Sequence, residues 1–252
     1  MPPASLSPEE LERYDRQIRI PGFGAGCQEK LKKARVVLVG LGGLGCPAAL
    51  YLASAGFGHL RLIDGGRVER SNLNRQVLYR EGDLGRYKAV SAAEKLRELN
   101  PHVRVEPVVD YLKEDSARRL LEGADVVLDG LDNWRTRLLV NRICVELGIP
   151  FVHAGVKGFY GQVMTVVPGR GPCLRCLLRA VPPEEEVVPI LGATAAVLAC
   201  VQVIEAVKLV TGLGEPLVGR LLLFDGLKMK FEEVLVRKSE DCPVCGRLGQ
   251  RP

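Results

Sequence analysis

Two short cysteine pairs and one dense polar segment carry the chemistry in this sequence of 252 residues. Cys173 and Cys176 form one C-x-x-C, in GPCLRCL, and Cys242 and Cys245 form the other, in DCPVCG. Each spacing sets two thiols on one side of a tight turn. Two such turns can supply the four thiolates of a closed tetrahedral zinc site. A disulfide framework is the competing reading. The opening residues, MPPASLSPEELERY, lack a basic-then-apolar secretion pattern, so metal binding is expected. Cys27, Cys46, Cys144 and Cys200 lie singly among apolar residues and read as buried thiols.

The polar segment follows residues 36–66, VVLVGLGGLGCPAALYLASAGFGHLRLIDGG, which read as strand, glycine turn, helix, strand and acid. Gly40, Gly42 and Gly45 fit G-x-G-x-x-G, with Gly43 an extra glycine in the turn. Bare backbone can approach a phosphate, the helix start favours negative charge, and Asp64 can accept from ribose hydroxyls. Asn72, Arg75, Gln76 and Lys88 come next. A nicotinamide dehydrogenase would leave this density unexplained. Arg offers a planar fork to phosphate oxygens and Lys a point charge, so together they can hold a triphosphate. In VVLDGLDNWRTR, Asp129 and Asp132 fall at the end of a predicted strand. A carboxylate there can hold Mg²⁺ beside phosphate oxygens, while Asp132 or Asn133 can equally cap the helix that follows; the two roles can coexist.

The elements that must position these residues alternate. Strands are expected at 35–39, 60–64, 103–109 and 125–129, and helices at 44–56, 88–99, 115–122 and 134–147. That alternation predicts an α/β fold with a Rossmann-like, doubly wound, mainly parallel sheet. Before it, residues 8–33 read as helical with a break at 21–26. After 150 come two strand-like runs, a helix at about 190–211, and strands near 219–224 and 229–236. The expected organisation is a helical segment 1–34, a nucleotide-binding half 35–150 and a C-terminal half 151–252, forming one continuous domain. The PPEEE run at 182–186 reads as an exposed loop.

Hydrophobic residues at 47% allow a sizeable core, and a net charge of +5 suits acidic ligands. No long basic run suggests a nucleic-acid groove, so no direct nucleic-acid partner is expected. The most apolar stretch, 187–201, is shorter than a membrane span and reads as a buried helix, so no membrane partner is expected either. A cytoplasmic location follows as an expectation.

Taken in order, RYDRQIRI (13–20), GLGGLG (40–45), SNLNRQ (71–76), GRYK (85–88), LDN (131–133) and the two C-x-x-C pairs resemble the MoeB/ThiF/HesA family, relatives of the ubiquitin-activating enzymes. The resemblance runs from about Leu11 to Gly246. It implies ATP-dependent adenylation of the C-terminal carboxylate of a small ubiquitin-like sulfur-carrier protein of the MoaD/ThiS type, ending in Gly-Gly, with release of pyrophosphate. By position it implies that Gly43 contacts the nucleotide and that Asp64 accepts from the ribose. Asn72, Arg75 and Lys88 would contact phosphates, with Gln76 beside them. Asp132 would be the Mg²⁺-binding or catalytic acid, with Asn133 adjacent. Arg16 would enter the neighbouring subunit's site, which implies a homodimer; read alone, Arg16 could equally cover its own helix. The four paired cysteines would hold structural Zn²⁺, and the C-terminal strands would be antiparallel and bind the carrier.

Two departures stand out. The family often carries a second acid two residues after Asp64, where this sequence has Gly66; its contact is absent or supplied by Glu69. Several relatives carry a cysteine before the long helix, where RAVPPEEEVVPILGA has none. Adenylation without a covalent enzyme–carrier intermediate is therefore expected. The sequence stops just past Cys245 with no rhodanese domain, so a separate sulfur donor is expected. The competing readings are adenylation of a small molecule or tRNA base, as in tRNA threonylcarbamoyladenosine dehydratases, and a non-catalytic binding partner.

Overall fold

The structure is a computed structural model and describes residues 6–178, 180–183 and 188–246. Three of the five PPEEE residues lie outside the described residues. The chain runs α1 (Pro8–Arg13), α2 (Asp15–Ile18), α3 (Gly24–Lys33), β1 (Arg35–Val39), α4 (Gly45–Ala55), β2 (His59–Ile63), α5 (Lys88–Leu99), β3 (Arg104–Val108), α6 (Glu114–Leu121), β4 (Val126–Asp129), α7 (Trp134–Leu147), β5 (Phe151–Lys157), β6 (Tyr160–Val166), α8 (Leu174–Leu177), α9 (Gly192–Thr211), β7 (Arg220–Asp225) and β8 (Lys230–Leu235). Two short 3₁₀ turns, Arg70–Asn72 and Glu81–Asp83, sit between β2 and α5.

All eight strands join one sheet in the order β3-β2-β1-β4-β5-β6-β7-β8. The first five are parallel and the last three are added antiparallel. The strand order reverses between β1 and β4, and a sheet of this type binds ligands beyond the carboxyl ends of its strands at that reversal. Pro107 lies in β3, an edge strand, where its missing N–H costs no ladder bond.

Strand β1 shows why both faces must be covered. Val36 and Leu38 enter one core with residues of α3, α4, α5 and α9, while Val37 and Val39 enter a second core with residues of α6 and α7. A strand apolar on both faces suits the middle of a parallel sheet. Helix α9 is long and apolar enough by composition to cross a membrane, yet it packs on α3, α4 and strands β4–β6 and carries the buried polar side chains Gln202 and Glu205.

Candidate active site and metal centre

The glycine turn is fixed by close backbone packing. Gly40 has φ +91°, and a Cβ there would stand 2.6 Å from the Gly130 carbonyl oxygen. A Cβ on Gly45 would stand 2.0 Å from the Gly40 oxygen. The turn is thus wedged against the end of β4, and only glycine fits at either place. Gly42 and Gly43 are not crowded in this way. A Cβ on Gly43 would merely touch Arg75 Cγ and Cδ at 3.4 Å, so Gly43 leaves its backbone bare toward Arg75. The Arg75 guanidinium is aimed by Nη1, which donates to the Ser71 carbonyl and Asn74 Oδ1, both at 2.9 Å. Asn72 is buried, and its Oδ1 accepts from the Glu69 N–H at 3.2 Å.

Helix α9 begins at the same place. A Cβ on Gly192 would lie 2.9 Å from the Asn74 carbonyl and 3.1 Å from Arg75 Cα. Two helix starts, those of α4 and α9, therefore meet beside Arg75, and both favour negative charge. Gln76 is buried, and its Oε1 has no hydrogen-bond partner among the described residues. Its amide lies near Gly42, with Nε2 3.8 Å from where a Cβ would stand. Bare backbone, two helix starts, a guanidinium and an orphaned amide oxygen fit a bound nucleotide.

Asp64 follows β2 and bridges two backbone segments. Its Oδ2 accepts from the Leu41 N–H at 2.8 Å and its Oδ1 from the Gly66 N–H at 2.7 Å. Lys88, the first residue of α5, points its Nζ to within 3.7 Å of the Cβ position at Gly66, which is itself 3.1 Å from Asp64 Oδ1. Gly66 therefore places no side chain between Asp64 and Lys88, where even a Cβ would touch both. Glu69 turns its carboxylate elsewhere: Oε2 lies 3.5 Å from Ser71 Oγ.

The two acids after β4 separate into different roles. Asp129 is fully buried and its oxygens are taken: Oδ1 accepts from the Leu131 N–H at 2.9 Å, and Oδ2 lies 3.2 Å from Arg137 Nε and 2.7 Å from His153 Nδ1. It cannot also hold a metal. Arg137 donates in turn to the Leu131 carbonyl. Both backbone groups of Leu131 are therefore held, and this clamp sets the position of Asp132, the next residue. Asp132 is exposed, and its carboxylate accepts among the described residues only from Asn133 Nδ2, at 3.3 Å. Asn133 is the helix cap, accepting from the Thr136 N–H at 2.9 Å. A free carboxylate at this position fits Mg²⁺, which takes one or two carboxylates plus phosphate oxygens.

Burial holds His153 below the ordinary histidine range, against the opposing pull of Asp129. The neutral ring donates from Nδ1 to Asp129 and accepts at Nε2 from Gln162, 3.1 Å away. The unfolded chain binds a proton at this histidine below about pH 6.5, and the native state resists it. This part of the stability is thus complete above pH 6.5 and falls as pH drops below it, by at most about 1.4 kcal/mol per unit. Thermal melts at pH 7.5 and 5.5 should show a smaller drop for His153→Gln than for the unaltered protein.

The paired cysteines converge. Their four sulfurs lie within 4.8 Å of one another, with Cys173–Cys242 at 3.7 Å and Cys176–Cys245 at 3.3 Å. Burial and the neighbouring thiols push Cys173 up to about 11. Four thiolates at such separations repel unless a cation sits among them, and the all-sulfur donor set fits zinc. Cys173 is tied to the second core through the Leu174 N–H, which donates to Asn141 Oδ1 of α7 at 2.9 Å. Of the four single cysteines, Cys27, Cys46 and Cys144 are buried as expected; Cys200, expected to be buried, is only half-buried, and burial still raises its thiol.

Arg16 lies apart from all of this. Its side chain is 96% exposed, so it does not cover its own helix. Sequence reasoning did not find Arg137, His153, Gln202 or Tyr111 near the carboxyl edge. The one available signal was a histidine inside the apolar run FVHAGV.

Comparison with known proteins agrees with this geometry. The ThiF family matches residues 14–244. The SAMP-activating enzyme E1 of Haloferax volcanii is 45% identical over 97% of this chain and 92% of its own length. The sulfur carrier protein adenylyltransferase of Thermus thermophilus is 44% identical over 94% of this chain and 92% of its own. A solved structure of E. coli MccB with ATP aligns at TM-score 0.83 and 26% identity, covering 93% of this chain and 74% of that one. The sheet order, the glycine turn and these matches together make the chain a member of the ThiF family.

Proposed function

We propose that this protein adenylates the C-terminal glycine carboxylate of a small ubiquitin-like sulfur carrier, using ATP. A carboxylate oxygen of the carrier attacks the α-phosphorus, the bond from that phosphorus to the bridging oxygen of the β-phosphate breaks, and pyrophosphate leaves with its electron pair. The product is an acyl-adenylate. No general base is required, because a carboxylate is ionised at neutral pH. The reading is carried by one juxtaposition: Gly43, Arg75 and two helix starts stand at one end of the glycine turn, and Asp64 and Lys88 at the other. The names of the Haloferax and Thermus relatives support the same substrate class.

In this reading Arg75, Lys88 and Asn72 contact phosphates, Gln76 gives its free Oε1 a partner at the nucleotide, and Asp64 accepts from the ribose. Asp132, with Asn133 beside it, would hold Mg²⁺, which screens the charge of the leaving pyrophosphate. Catalysis rests on positioning and charge stabilisation. Cys173, Cys176, Cys242 and Cys245 would hold Zn²⁺ as a closed structural site. Phe231 and Leu235, exposed on one face of β8, with Met229 in the turn before it, offer the apolar surface for the carrier. With no cysteine in residues 179–193, the activated carboxyl stays as an adenylate until a separate sulfur donor takes it.

Arg16 would complete the site of a second copy. Its neighbour Gln17 donates to the Ala55 carbonyl at 3.0 Å, at the far end of α4 from the glycine turn. An 11-residue helix is about 16 Å long, too far for Arg16 to reach its own phosphates. In a homodimer, Arg16→Ala and Arg75→Ala mixtures should therefore recover activity. Random pairing makes half the dimers mixed, and each mixed dimer has one intact site of two, so recovery approaches about one quarter. No recovery after subunit exchange would mean a site built within one chain.

Intact-mass analysis of a Gly-Gly-ended carrier, incubated with the protein, ATP and Mg²⁺, tests the reaction itself. A carrier heavier by one adenylyl group (AMP less one water), with no enzyme–carrier adduct, is expected. A thiol-labile adduct on the enzyme would overturn the account of the missing cysteine.

A further inference from the structure

The proposed nucleotide has a direction. Phosphates lie at Gly43 and Arg75, and the ribose at Asp64. In that direction the base follows the ribose, on the side of Asp64 where Gly65 begins the next loop. There the structure offers a ring. Tyr111, three residues beyond β3, lies against Gly65: a Cβ on Gly65 would stand 2.7 Å from both Tyr111 Cδ2 and Cε2. The missing side chain of Gly65 is thus the seat of the ring. Tyr111 itself is 64% exposed, while the next residue, Leu112, is buried in the core beneath. An aromatic ring with one face laid on bare backbone and the residue largely open to solvent, next to the ribose acid, is a stacking platform without its partner.

We infer that Tyr111 stacks on the purine of the bound nucleotide and that Gly65 is glycine in order to seat it. The inference rests on the proposed nucleotide site and adds the recognition of its base. Stacking needs only the ring, so the phenolic oxygen is dispensable. Base–aromatic stacking is sequence-tolerant, because every base has a π-face. Tyr111 therefore supplies affinity for a nucleoside over bare polyphosphate, rather than a choice of adenine over guanine.

Equilibrium binding of ATP and of inorganic tripolyphosphate to the full-length protein, without carrier, separates the possibilities. Tyr111→Ala should weaken ATP binding about tenfold and leave tripolyphosphate binding unchanged. Tyr111→Phe should bind ATP within about twofold of the unaltered protein. Gly65→Ala, which pushes the ring from its seat without touching Tyr111, should weaken ATP in the same direction. Arg75→Ala is the control for the parent reading and should weaken both ligands. If Arg75→Ala weakens both while Tyr111→Ala changes neither, the stacking role is wrong and the nucleotide site stands. If Tyr111→Ala weakens both ligands equally, the residue is only structural and the inference also fails. If Arg75→Ala changes neither ligand, the proposed nucleotide site itself is wrong, and the inference goes with it.

Discussion

Asp132→Ala lowers ATP–pyrophosphate exchange by at least about 10²–10³-fold while the melting temperature stays where it was. The two halves of this expectation have separate physical grounds. The carboxylate is exposed and accepts, among the described residues, only the 3.3 Å bond from Asn133, so nothing in the fold depends on it. The helix cap belongs to Asn133, which survives the substitution, and surface changes away from caps usually stay within about 0.5 kcal/mol. The activity, in contrast, loses the one carboxylate after β4 that is open to a metal, because Asp129 is buried and committed to Leu131, Arg137 and His153. Retained exchange in the variant would remove Asp132 from the metal and send the search to another acid.

Cys245→Ser should leave less than one zinc per chain and lower the melting temperature by roughly 6–12 °C, for a loss on the order of 3 kcal/mol. The site joins two distant parts of the chain: Cys173 and Cys176 precede and belong to the short α8, and Cys242 and Cys245 stand in the final described turn. Asn141 of α7 anchors the first pair, and Cys173, Cys242 and Cys245 are part of the apolar cluster beneath α6 and α7. Losing one thiolate leaves three sulfurs around a weakened ion and frees the C-terminal turn from that cluster. Metal analysis with a thermal melt checks both effects. A metal-free protein of full stability would rule out the structural zinc.

Much of the frame was legible because its signals are local. Helix α5 at Lys88–Leu99 and α7 at Trp134–Leu147 match the expected ranges, the latter with Asn133 as its cap and Gly148, in a left-handed conformation, as its stop. Strand β1 matches its expected range, and β2, β3 and β4 differ from expectation by one residue at their ends, where pairing rather than composition decides. The N-terminal break was expected at 21–26 but falls earlier, since Gly24 and Gly26 lie inside α3. The four-residue α8 went unseen because its start is set by the metal-binding turn at Cys173, which no periodicity announces. The buried clamp was hidden for another reason. Asp129 and Asp132 look alike in sequence, and only the approach of Arg137 and His153 from other elements tells them apart. Tyr111 was missed likewise, since its link to Gly65 crosses 46 positions of sequence and depends on the order of β2 and β3.

ATP–pyrophosphate exchange with Mg²⁺ and a panel of small proteins ending in Gly-Gly tests the central claim most directly. The account predicts exchange that requires one such carrier and is lost in Asp132→Ala. No exchange with any carrier, from a protein that holds its zinc and its fold, would contradict it.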